Sequence, residues 1–331
     1  MMKRVLSLML LAMLCAALAL PALAEAPRGQ QGPTVVDNFE HADYSDYGFI
    51  TKIPMKPKYT EPTDHQGTVE MVTYTAPCYA EIAATGDESI TVEKNLFVYL
   101  PYGYDPSVSY DVLYLMHGGG EDEYYWLSDE RMGKSTRAVI DLEIAKGECK
   151  PVIIVAPTNN YTYNNITKSD GTYFGQEIRN DIVPLIESRY STYAQGDVSP
   201  ENLKATRNHR AFCGFSMGSI ISIEDVMRVS LDYFGYIGSY SAGTSDLEGF
   251  KADLESEEFK DLPILYWYNG EGTGDFALDG HVAMRDFVLS EMSDRFVDGE
   301  NFCWVIFKGG THAYNCWLPH TYNCLKIFFQ D

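Results

Sequence analysis

The sequence predicts an α/β fold, a mainly parallel central sheet with helices on both faces. Three observations carry that expectation. From about Gly67 onward, short apolar runs alternate with stretches that suit helices, the pattern of strands joined by helical crossovers. Two of the apolar runs end in glycine-rich turns, His117-Gly118-Gly119-Gly120 and Gly214-Phe215-Ser216-Met217-Gly218. The third is size: 331 residues with 45% hydrophobic content can build one substantial core.

Taken in order, Met1 to Ala24 reads as a secretory signal peptide. Lys3 and Arg4 form its charged start, Val5 to Leu20 its apolar stretch, and Ala22-Leu23-Ala24 an A-x-A cleavage site. The apolar run is short for a membrane span, and no later segment is long enough for one. The expectation is a secreted protein without stable membrane insertion. Residues 25–67 are rich in Pro, Gly, Asp and Tyr and read as an N-terminal arm or linker, with room for one strand. The catalytic domain is expected over residues 68–331. Its strands are expected at Val69–Thr75, Lys94–Leu100, Asp111–Met116, Pro151–Ala156, Ala211–Phe215, Tyr236–Tyr240, Ile264–Tyr268 and Cys303–Phe307. Phe174 to Glu187 has helical spacing, as does the segment after Ser216. Asn160 and Asn165 each begin an N-x-T sequon.

The chemistry centres on Ser216. G-x-S-x-G between an apolar run and a helical segment is a nucleophile elbow, in which the serine sits on a sharp turn clear of the sheet. Side chains at Gly214 and Gly218 would collide with neighbouring backbone. An acyl-transfer site also needs a base, an acid that orients the base, and donors for the oxyanion. The turn at 117–120 can present one backbone N–H, and the amide of Met217 a second. His312 follows the apolar run Trp304–Phe307 through a glycine-rich turn and is the expected base, with His320 its competitor. His281 reads as a surface or structural histidine. The acid belongs in the turn after Ile264–Tyr268, where Asp275 is preferred and Asp279 and Glu271 remain open. The order of oxyanion turn, serine, acid and histidine is that of the α/β-hydrolase fold.

Charge narrows the partners. The formal net charge is −22, and loss of Lys3 and Arg4 with the signal would move it to about −24. Nucleic acid is disfavoured, because its affinity comes largely from Lys and Arg on phosphates, and so are polyanionic substrates. A neutral polysaccharide or a small ester would not be repelled. Beyond Cys15 the cysteines are 78, 149, 213, 303, 316 and 324. Cys213 and Cys303 fall in apolar strands and read as core residues; Cys316 and Cys324 are the best local pair for a disulfide. No cysteine–histidine spacing suits structural zinc, and the proposed chemistry requires no metal or organic cofactor.

Together, the H-G-G-G turn with Trp126 after it, the G-F-S-M-G elbow, the G-T-G-D segment and His312-Ala313-Tyr314-Asn315-Cys316-Trp317-Leu318-Pro319 resemble carbohydrate esterase family 1. The likeness covers roughly residues 68–331, including the helix-like stretch Glu177–Tyr190 before the elbow; Ser219 departs from it, standing where a third glycine often follows. The resemblance implies Ser216, Asp275 and His312 as the triad and the amides of Gly119 and Met217 as the oxyanion hole. It implies feruloylated or acetylated xylan or oligosaccharide as substrate. Trp126 and Trp317 are the aromatic candidates for substrate binding, and the 24 tyrosines incline the expectation toward feruloyl over acetyl. Related esterases of the S-formylglutathione hydrolase type and mycolyl acyltransferases share the elbow; an export signal disfavours the cytosolic thioesterase. A serine peptidase of this fold would want an extra domain. A carbohydrate-binding protein with a decayed site would have lost triad members that are all present here.

Overall fold

The structure is a computed structural model that describes Ile50, Ile53 and residues 59–330. The signal-peptide reading and most of the N-terminal arm lie outside those residues. The central sheet is built from β1 (Thr68–Pro77), β2 (Thr91–Leu100), β3 (Asp111–Met116), β4 (Val152–Ala156), β7 (Arg210–Phe215), β8 (Tyr236–Tyr240), β9 (Tyr266–Gly272) and β10 (Phe302–Phe307). Their spatial order is β1-β2-β4-β3-β7-β8-β9-β10. β1 with β2 and β2 with β4 are antiparallel; the five other pairings within this sheet are parallel. This is the mainly parallel sheet of the α/β-hydrolase fold.

Burial explains why the apolar runs were readable. Every residue of β3, β4, β7, β9 and β10 is buried, which requires cover on both faces of the sheet. β1, at the edge, alternates instead: Val72, Tyr74 and Ala76 point inward between exposed neighbours. The helix Gly133–Lys146 and the C-terminal helix Tyr314–Ile327 supply part of the cover and touch one another. Ile50, Ile53 and Tyr59 pack with Val139, Leu318 and Tyr322, and Asn323 brackets Ile50 with two backbone hydrogen bonds of 2.8 and 2.9 Å.

Three features depart from expectation. First, β9 continues through Asn269-Gly270-Glu271-Gly272, a stretch read as a turn from its glycines. The imidazole of His320 lies so close to Gly270 that an added Cβ would fall 2.4 Å from it, so glycine here permits close packing rather than a turn. Second, residues 160–169 form a hairpin, β5 (Asn160–Tyr163) and β6 (Ile166–Ser169), turned by Asn164 and Asn165 with φ of 50° and 62°. Third, Cys316 and Cys324 form no disulfide; all six cysteines among the described residues are free and buried. Both lie on one helix, where eight residues rise about 12 Å, beyond the Cα separation a disulfide allows.

The stretch Phe174–Arg189 is helical as expected, with a wider π turn at Ile178–Ile182 just before Pro184. Proline offers no N–H to the turn before it, a common cause of such irregularity. Glu187 on this helix is buried against Arg210 at the start of β7, Oε1 to Nε 2.8 Å. Arg210 also donates to the carbonyls of Leu203 and Tyr233 at 2.6 and 2.7 Å. The strand that carries Ser216 is thus clamped at its far end.

Candidate active site

The carboxyl ends of β3, β7, β9 and β10 lie along one edge of the parallel sheet, the edge where such sheets bind ligands. The 117–120 turn, Ser216, Asp275 and His312 each follow one of these strands.

Ser216 takes φ 54° and ψ −119° between β7 and the helix that starts at Met217. A non-glycine residue with positive φ is strained, and such strain is held only where the surroundings fix it. Here the Ser216 N–H donates to the Tyr240 carbonyl at 2.8 Å, and its own carbonyl accepts from Ser219 and Ile220 at 3.0 and 3.1 Å. Gly218 makes the turn possible: a Cβ on it would sit 2.5 Å from the His117 carbonyl oxygen. The helix and the 117–120 turn are therefore in direct contact.

The result is a hydrogen-bonded row. Oγ of Ser216 lies 2.9 Å from Nε2 of His312. Nδ1 of His312 lies 2.8 and 3.0 Å from the two carboxylate oxygens of Asp275. The Asp275 side chain is fully buried, while that of His312 keeps 19% of its surface exposed. Asp275 Oδ1 also accepts the N–H of Ala277 at 2.9 Å, which fixes its rotamer.

The two amides expected to face an oxyanion, those of Gly119 and Met217, lie side by side. Met217 opens its helix, so its N–H belongs to the first turn, which has no intrahelical acceptor. Gly119 lies against it, an added Cβ falling 3.9 Å from that of Met217. His117, buried, pins this turn: its Nδ1–H donates to the Gly118 carbonyl and its Nε2 accepts from the Thr158 hydroxyl, both at 2.8 Å. Burial pushes His117 down to about 4, so the ring is neutral, as that pattern of one donor and one acceptor requires.

The other candidates fall elsewhere. His320 is fully buried, its Nδ1 2.8 Å from the Tyr268 hydroxyl, and burial pushes it down to about 3. His281 is structural and not at the surface: it is fully buried between Glu271 and Asn269. Asp279 is exposed in the first turn of the helix Leu278–Glu291. Glu271 faces His281, not His312.

Both tryptophans expected at the substrate are buried, Trp126 more completely than Trp317. Trp126 is 1% exposed, with its ring against Phe215 and its Nε1–H on the Met116 carbonyl at 3.0 Å. It ties the start of the 117–120 turn to the core and has no open face. Trp317 is stacked on Phe215 at 3.8 Å and meets His312 edge-on at 5.2 Å, with Nε1–H bonded to Ser241 Oγ. It backs the imidazole. The open aromatic at the site is instead Phe276, 82% exposed and tilted over His312 at 4.1 Å. Nothing in its sequence context singled it out.

Beside Met217 opens a cleft of about 470 Å³, lined among others by Asn159, Ile220, Asp225 and Thr244. Its size suits an organic group larger than acetyl. Among the described residues no group of three or more His, Cys, Asp or Glu side chains is arranged to hold a metal ion, and no helix is long and apolar enough to cross a membrane.

Comparison with known proteins places the chain among esterases. The family model named Esterase matches residues 88–260, a span that contains Ser216 and stops short of Asp275 and His312. Endo-1,4-beta-xylanase Y of Acetivibrio thermocellus is 31% identical over 316 residues, 90% of this chain and 27% of its own length. An endo-1,4-beta-xylanase/feruloyl esterase of Xylanibacter ruminicola is 33% identical over 186 residues, 54% of this chain and 22% of its own length. The chain thus spans about a quarter of the length of these curated relatives. Among solved structures, the feruloyl esterase module from Clostridium thermocellum complexed with sinapinate superposes with a TM-score of 0.70 at 28% identity, covering 85% of this chain and 94% of that one.

Proposed function

The chain belongs to the Esterase family, and from that membership we propose that it is a secreted serine esterase that frees feruloyl groups from plant xylan. The likeness to a feruloyl esterase module is in keeping with the resemblance to carbohydrate esterase family 1 read from the motifs. The observation that carries the mechanism is the unbroken row from Ser216 Oγ through His312 to Asp275, at 2.9 and 2.8 Å.

In the first half-reaction His312 Nε2 takes the Ser216 hydroxyl proton as Oγ attacks the ester carbonyl carbon. The carbonyl oxygen becomes an oxyanion facing the amides of Met217 and Gly119. Collapse expels the sugar oxygen, which leaves with the proton from Nε2. Water then repeats the sequence on the acyl-enzyme and releases the free acid. Asp275 keeps Nδ1 protonated and steadies the imidazolium in both halves.

One feature favours an aromatic acyl group over acetyl: the sinapinate held by the similar module. A fluorophosphonate that reacts with activated serines tests the nucleophile. The reading expects one adduct, mapped to the Ser216 peptide and absent after His312→Ala; labelling elsewhere would overturn it.

A further inference from the structure

Ser216 is not the only strained serine at this edge of the sheet. Ser241, directly after β8, takes φ 57°, a backbone that glycine adopts freely and that a residue with a Cβ holds only when its surroundings impose it. The peptide before it is fixed on both sides. The Tyr240 carbonyl accepts the Ser216 N–H at 2.8 Å, and the Ser241 N–H donates to the Gly270 carbonyl on β9 at 2.9 Å. One residue on, the Ala242 carbonyl accepts the Ser219 hydroxyl at 2.6 Å. The segment 240–242 is thus bonded at two points to the elbow that carries the nucleophile.

The Ser241 side chain is fully buried, and its Oγ accepts the Nε1–H of Trp317 at 2.9 Å. Glycine would meet the backbone demand without strain, but it would leave a buried indole N–H with no acceptor. Trp317 in turn packs against the base and against the residue before the nucleophile. Its ring is stacked on Phe215 at 3.8 Å and 18°, and it stands edge-on to His312 at 5.2 Å and 89°. Phe276 also meets His312, but it is largely exposed, whereas Trp317 is buried. The firm contact on the imidazole is therefore Trp317.

Asp275 grips His312 only at Nδ1, which leaves the ring free to pivot about that end. A rigid wall beside the ring decides where Nε2 points, and small misplacements of a catalytic group are costly. We propose that Ser241 is a positioning residue: by fixing the indole of Trp317 it keeps Nε2 of His312 aimed at Ser216 Oγ, a role that rests on the triad reading above. Its backbone is tied to the nucleophile and its side chain to the ring behind the base, so one strained residue holds the two in register.

A double-mutant cycle of Ser241→Ala and Trp317→Phe tests this on a methyl ester. Phenylalanine keeps a ring against Phe215 and removes the N–H. Each single variant should lower kcat about 10-fold with KM little changed, because the reacting groups are misaligned and the substrate surface is not. The double variant should be no slower than the slower single, since either change breaks the same link. Losses that multiply would show two independent effects, and a rise in KM at unchanged kcat would give Trp317 to the substrate. Either result overturns the proposal, as does Ser241→Ala with the kcat of the wild type. Should Ser241→Ala not fold, Trp317→Phe alone carries the comparison of kcat with KM.

Inactivation by a fluorophosphonate gives a reading free of the choice of ester. Its rate at Ser216 should fall about 10-fold in Ser241→Ala. A wild-type protein that is not labelled at Ser216 would overturn the triad itself. A labelled wild type whose rate Ser241→Ala leaves unchanged would overturn the role of Ser241 alone.

Discussion

The hydroxyl of Ser216 lies 2.9 Å from Nε2 of His312, although 96 positions separate the two residues. That distance is set by the sheet, because β7 and β10 end at the same edge, and by a strained serine backbone held from three sides.

Asp275→Asn should keep the fold and lose catalysis. The amide can donate to Nδ1, which turns the imidazole to the tautomer that cannot accept the serine proton. The expected loss in kcat is about four orders of magnitude, with KM little changed; steady-state kinetics on a methyl ester checks both.

Gly218→Ala should destabilise the protein. The new methyl would stand 2.5 Å from the His117 carbonyl oxygen, and it is backbone that must move. A cost of about 2–4 kcal/mol in urea unfolding is expected, with activity lost beyond what stability explains. An alanine tolerated at under half a kcal/mol would contradict the contact between helix and turn.

Asp225 gives a pH prediction. Burial first, then the neighbouring charges of Glu224 and Asp170, push it up to about 7, against about 4 in the unfolded chain. Between those values the native state binds more protons than the unfolded state, so its contribution makes stability fall as pH rises from about 4 to about 7. Asp225→Asn should remove that slope. It should gain roughly 2–4 kcal/mol relative to wild type at pH 8 and little at pH 4, in denaturant titrations at the two pH values.

Phe276→Ala should separate the two ends of the substrate. The ring is exposed beside His312 and available to stack on a sugar. The expectation is a rise in KM of about 5–10-fold on feruloylated oligosaccharide and a smaller effect on methyl ferulate. Equal effects on both would leave the ring only as a cover for His312.

Much of this was readable from the chain, for identifiable reasons. A strand buried on both faces has to be a continuous apolar run, so Asp111–Met116 and Cys303–Phe307 announce themselves. The elbow glycines are forced by backbone contact, so the motif and its geometry are the same fact. Asn269 to Gly272 was misleading because polar and glycine residues ordinarily mark turns. Here they form a strand whose polar side chains, Asn269 and Glu271, are both satisfied by the buried His281. Trp126 was misleading in the opposite sense, since an aromatic beside an oxyanion turn looks the same in sequence whether it faces ligand or core. Phe276 gave no signal because exposure at a loop tip is set by tertiary placement.

The most direct test of the account is release of acid from feruloylated, acetylated arabinoxylan by the purified protein, measured beside Ser216→Ala. The account predicts ferulate in excess of acetate, and loss of both in the variant. Ferulate release that survives Ser216→Ala would contradict the nucleophile, and acetate release without ferulate would contradict the acyl group.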